Sequence, residues 1–269
     1  MIDPQTHYPN RDTEWRRSLA ALTEAAYPVV EHLKMAWKRA FPTLQAIAEG
    51  FRTLPERSRV ALLQLGTQGW YLDPNLPANA LFELAESFSG TSKEAANEFL
   101  CKWIDNHLDE TEKLLAERFP NRQHILREAF EAHRLKLYAA STPLFLAQAD
   151  GICQQLHDIQ LFKKTRSGKM QLKVRVETLE IGEYEKVLLT PLLEALPITA
   201  SAKARSELNN HLNRHAILHG ENVNYGTHEN SCRAISLITY VSWVLVEIMP
   251  NQTLNHTDSS TLRSGESEA

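Results

Sequence analysis

Glycine is scarce in this chain, with 10 among 269 residues, and alternating apolar and polar runs are scarcer still, which argues against a sheet-rich fold. Cysteine is nearly absent. Cys101, Cys153 and Cys232 are odd in number, far apart and without CxxC spacing, which argues for reduced thiols rather than a disulfide framework. No apolar run reads as a membrane span. The strongest, residues 234–249, falls short of the ~20 residues a span needs and carries Ser236, Thr239, Ser242 and Glu247, so a buried helix and no membrane contact are expected. Charge of one sign is also lacking: net charge is -4 and pI about 6.3, so any basic surface must be local. No glycine-rich phosphate loop is present, which argues against a nucleotide-hydrolysing enzyme. The first residues, MIDPQTHYPNRDTEW, show no apolar run behind a basic cluster, and a cytoplasmic location is expected.

What is present is helix-forming sequence. Hydrophobic residues make up 43% and charged residues 23%, a globular composition in which Ala, Leu, Glu, Lys and Arg recur at helical spacing. An all-α fold is expected. It divides into an N-terminal helical region over residues 1–120, a helical bundle over 121–250 and a polar, disordered tail over 251–269. Residues 13–49 read as helices broken at Pro28 and Pro42, and residues 66–74 as a turn region. One helix is expected from Thr91 or Ser92 to Arg118, then a hairpin of two helices, the second with Pro143 at its start. Residues 161–182 crowd Lys163, Lys164, Arg166, Lys169, Lys173 and Arg175 into a locally basic short β-hairpin or mobile excursion. Helices then follow over about 184–196, 202–219 and 229–249, with Gly220 ending the second and Thr227 capping the last.

Chemistry concentrates in NRHAILHGENVNYGT, residues 213–227. On a helix, His215 and His219 share one face a turn apart, and Arg214 lies about 140° from His219. An imidazole exchanges protons near neutral pH, and a guanidinium grips two phosphoryl oxygens in a planar fork. Together they suit internal transesterification of RNA without a metal ion or other cofactor.

At these residues the chain resembles the HEPN superfamily. Arg214-His215-Ala216-Ile217-Leu218-His219 fits its pattern of Arg, then Asn, His or Asp, three further residues, and His. REAFEAHRLKLYAASTPLFLAQADGI and YGTHENSCRAISLITY, taken with NRHAILHG, are also similar to a group of bacterial proteins, and the likeness spans about residues 121–249. The resemblance implies a four- to five-helix bundle and a homodimer whose two motif copies face one composite cleft. It further implies metal-independent RNA cleavage to a 2′,3′-cyclic phosphate and a 5′-hydroxyl, in a toxin or phage-defence effector with a possible antitoxin. Carried over, Arg214 and His219 are catalytic, and His215 orients them with support from Asn213. A polar residue from an earlier helix commonly approaches the motif; Asp150, or else Gln148, fills that place in an otherwise apolar helix. Lys163, Lys164, Arg166 and Tyr225 are candidate contacts to single-stranded RNA, by charge and by stacking.

Other readings compete. His219 in a last helical turn interacts with free carbonyls and the helix dipole without further purpose. His211, His215 and His219 form an i, i+4, i+8 stripe that could bind a transition metal, although its ends lie about 12 Å apart, too far to share one ion. A two-histidine metal site completed by Asp150 or His228 stays open. So do a non-catalytic RNA- or nucleotide-binding module and a helical scaffold. Cysteine nucleophile chemistry is poorly supported, since nothing completes a triad around Cys232 and His228.

Overall fold

The computed structural model describes residues 52–77, 79–200 and 212–249, with residues 35, 38, 42 and 50. The chain divides into two compact units, Met1–Leu54 and Pro55–Ala269. The described residues of the first are helical, and the helices expected over 13–49 lie largely outside the described residues, as does the tail 251–269.

The second unit is all-α, and among its described residues there is no strand, only an isolated bridge between Lys164 and Met170. Its helices are α1 (residues 55–67), α2 (Ala80–Ser89), α3 (Lys93–Asn106), α4 (Leu108–Arg118), α5 (Gln123–Arg134), α6 (Tyr138–His157), α7 (Gln171–Val176), α8 (Glu183–Leu193), α9 (Arg214–Leu218) and α10 (His228–Trp243). A single hydrophobic core runs from Ala61 to Met249. Residue 120, expected as a domain boundary, therefore falls inside one packed unit: α3 and α4 both pack on α10.

The axis of that core is α10, in which every residue from Asn230 to Ser242 is buried. It starts as expected, with the Thr227 side chain accepting the Asn230 N–H at 3.2 Å, and runs into a π turn at Val244–Ile248. Residues 228–248 are long and apolar enough for a membrane span, yet 83% of their most apolar window is buried within the fold. Around this axis the amphipathic helices contribute one face each; α5 buries Leu126, Ala129, Phe130 and His133 at i, i+3, i+4, i+7. Trp70, from the turn after α1, is fully buried and donates its indole N–H to Asn97 at 2.8 Å.

Four expectations about elements are corrected. The helix drawn from residue 91 to 118 is two helices, because His107 leaves helical geometry, its ring lying 4.1 Å from Trp103 and its Nδ1 2.7 Å from the Trp103 carbonyl. The second hairpin helix starts at Tyr138, which puts Pro143 inside it. Proline has no N–H for the Ala139 carbonyl one turn back, and the Tyr225 hydroxyl donates to that carbonyl instead, at 2.9 Å. In the basic tract the hairpin shrinks to one bridge around Gly168, whose φ is +82°, because Leu172 and Val176 bury together on α7. Finally, the helix drawn over 202–219 is helical in its described part only from Arg214, since Asn213 is extended and caps α9.

Candidate functional site

The cap at Asn213 sets the pose of the Arg-His segment. Its side-chain oxygen accepts the Ala216 N–H at 3.0 Å, and its Nδ2 donates to the carbonyls of Pro197 at 2.7 Å and Ala200 at 3.0 Å. Asn213 is thus a buried structural anchor. At the other end Gly220 adopts φ +72° and donates its N–H to Ile217, the left-handed close for which glycine is favoured. Between these stops α9 is little more than one turn, with Ala216 and Ile217 buried.

Arg214 turns inward toward α6. Its Nη2 meets Asp150 Oδ2 at 3.1 Å, with the two side chains 29% and 16% exposed. Its guanidinium lies 5.4 Å from the Phe162 ring centroid, and its Nε is buried without a hydrogen-bond partner among the described residues. The other oxygen of Asp150 accepts the Leu161 N–H at 2.7 Å. One carboxylate therefore joins Arg214 to the root of the basic tract, where Lys163, Lys164 and Arg166 are exposed and make no ion pair among the described residues. Gln148, the alternative partner, instead accepts from Arg122 Nη1 at 2.9 Å.

The two histidines face solvent. The His215 and His219 rings lie 4.3 Å apart, and His215 Nε2 is 3.5 Å from Glu221 Oε1. Arg214 and His219 share no hydrogen bond. The fold thus gathers Arg214, Asp150 and Phe162 on the inner side of α9 and His215 with His219 on its outer side. Tyr225 is tied to Ala139 by its hydroxyl and packs against the core. His211 lies outside the described residues, and Asn213 before His215 is extended rather than helical.

A second cluster lies where α3, α5 and the first turn of α10 meet. Asp105 on α3 has Oδ1 3.2 Å from His133 Nε2 on α5 and 3.1 Å from His228 Nε2 on α10. His228 Nε2 also lies 3.4 Å from Cys232 Sγ, one turn along the same helix. His133 is 3% exposed, and its Nδ1 sits 2.7 Å from Ser231 Oγ, itself 2.7 Å from Ser141 Oγ. Burial pushes the His133 imidazole below its ordinary pKa, against the pull of Asp105. The neighbouring Cys101 thiol, with burial, holds the Cys232 thiol far above its usual range. Asp105 and His228 open onto a cleft of about 660 Å³ lined also by Cys101, Lys102 and Thr227. Sequence reasoning noticed His228 and Cys232 at i, i+4 but missed Asp105 and His133, which sit on two other helices with no spacing to connect them. It also missed Phe162, which lies in the turn after α6.

Comparison of the chain with protein families, with characterised proteins and with solved structures returns no match in any of the three.

Proposed function

We propose that the chain is a metal-independent endoribonuclease of the HEPN type, acting on single-stranded RNA as a homodimer with a composite cleft. The observation that carries this reading is the Asp150–Arg214 pair at 3.1 Å, which answers the demand of the motif for a polar residue from an earlier helix. Asp150 holds one amino group of the guanidinium, Phe162 lies against it, and Nη1, which makes no hydrogen bond among the described residues, would take a phosphoryl oxygen. His219 is solvent-exposed, with the His215 ring beside it.

In the reaction the ribose 2′-oxygen attacks the adjacent phosphorus and the bond from phosphorus to the 5′-oxygen breaks. The 2′-hydroxyl proton passes to an imidazole, and the imidazolium so formed, or a second one, gives a proton to the departing 5′-oxygen. Arg214 offsets the charge that builds on the non-bridging oxygens. Lys163, Lys164 and Arg166, on a tract rooted beside Asp150, supply positive charge for the RNA backbone.

The test is cleavage of single-stranded RNA in excess EDTA. Wild type is expected to leave 2′,3′-cyclic phosphate ends, and His219→Ala is expected to abolish cutting while circular dichroism and oligomeric state are unchanged. Cutting that persists in His219→Ala overturns the assignment; RNA retained but never cut points to a binding module.

A further inference from the structure

We propose that Asp105, His133, His228 and Cys232 form a structural metal site for a tetrahedral divalent transition ion, zinc above all. The site shares no residue with the Arg214 segment and does not depend on the ribonuclease reading.

The geometry carries the proposal. One donor atom from each of the four residues can be chosen so that all lie within 4.8 Å of one another. A zinc ion with bonds of about 2.0 Å to nitrogen or oxygen and 2.3 Å to sulfur sets its ligands about 3.3 to 3.6 Å apart along the edges of a tetrahedron. Three edges are already near those lengths: 3.2 Å from Asp105 to His133, 3.1 Å from Asp105 to His228 and 3.4 Å from His228 to Cys232. Hydrogen bonding alone uses this arrangement poorly. His228 Nε2 carries at most one proton, yet it faces both oxygens of Asp105, each at 3.1 Å, and the Cys232 sulfur.

The surroundings suit a metal in two further respects. A ligating histidine usually donates its other ring N–H to a fixed acceptor. With His133 ligating through Nε2, Nδ1–H donates to Ser231, the Ser231 hydroxyl donates to Ser141, and the Ser141 hydroxyl reaches the Tyr138 carbonyl at 3.4 Å. The half-exposed Asp105 and His228 border the cleft, which gives an ion a route in. Nitrogen, sulfur and carboxylate donors in a four-ligand set select zinc over calcium or magnesium. Four protein ligands leave no open coordination position, so the ion would pin α3, α5 and α10 together rather than perform chemistry.

The experiment uses the full chain purified without chelator. Elemental analysis is expected to give about one zinc per chain. Replacing zinc with cobalt(II) is expected to give the intense visible bands of a tetrahedral site and a near-ultraviolet thiolate-to-cobalt band. Cys232→Ser should lose the near-ultraviolet band, and Asp105→Asn, at the exposed ligand, should weaken zinc binding by about tenfold or more. A lower thermal midpoint in zinc-free chain that stays folded at room temperature, restored by added zinc, also supports the site. The proposal is overturned if metal-free chain takes up no stoichiometric zinc, if the thiolate band survives in Cys232→Ser, or if zinc is lost in His219→Ala instead.

Discussion

Asp150 serves two partners through its two oxygens, the Leu161 N–H and the Arg214 guanidinium, and that double use makes it the most informative single residue of the motif site. Asp150→Asn keeps an acceptor for Leu161 but removes the charge opposite Arg214. The expected cost is about 1 kcal/mol of stability, since a partly buried charge-assisted bond is lost while the neutral one survives. RNA cleavage is expected to fall much further than stability, because the guanidinium loses its fixed orientation. Thermal denaturation set beside the EDTA-resistant cleavage assay checks both, and an unchanged cleavage rate would remove Asp150 from the site. Asp150 was legible in the sequence because a carboxylate in an apolar helix calls for a partner. Phe162 was not, because nothing in its neighbourhood distinguishes it from any other core phenylalanine. Asp105 and His133 were illegible for a geometric reason: their meeting depends on how the ends of α3 and α5 are brought to the start of α10, and no local pattern encodes that.

Helix α6 shows how a local rule can be right about a residue and wrong about an element. Pro143 disfavours helix, and the sequence reading therefore placed it at a helix start. The chain runs the helix through it and uses the freed Ala139 carbonyl to hold Tyr225, at the end of the loop that follows the motif. Tyr225→Phe is expected to cost about 1 kcal/mol. In a Pro143→Ala background, where a backbone N–H again reaches Ala139, the cost should shrink toward zero. Equal costs in both backgrounds, measured by urea unfolding, would show that the two residues are not coupled. The ends of α9 and α10 were readable because Asn213, Gly220 and Thr227 act through local geometry. The break at His107 was not, since it depends on a ring contact and a backbone bond that propensity does not describe.

At the scale of the whole molecule, burial makes stability depend on pH. His157, on the last turn of α6, has its pKa lowered by burial, with Arg175 adding in the same direction and the Leu245 carbonyl opposing. The unfolded chain therefore binds a proton below about pH 6.5 that the folded chain resists. This contribution to stability is present above that pH and is lost as pH falls through the depressed folded value. Urea midpoints at pH 7.5 and 5.5 are expected to differ less in His157→Gln than in wild type, and an equal difference would remove His157 as a cause. The all-α class was visible in the sequence as a whole, because helical periodicity repeats along it. The extent of the packed unit was not: residues 55–120 join the same core through long-range contacts around α10, and composition does not change at residue 120.

The shared carboxylate of Asp150 has a practical corollary for transplanting the site. An excised segment 213–220 would carry the motif letters into another helical scaffold but leave behind Asp150, Phe162 and the Pro197 and Ala200 carbonyls that anchor its cap. The smallest portable piece is discontinuous: α6, the start of the basic tract, the turn at Pro197–Thr199 with Ala200, and α9 with both of its stops. A pattern search that scores six consecutive residues would rank such a graft equal to the parent chain, although the graft lacks every tertiary contact that orients its arginine.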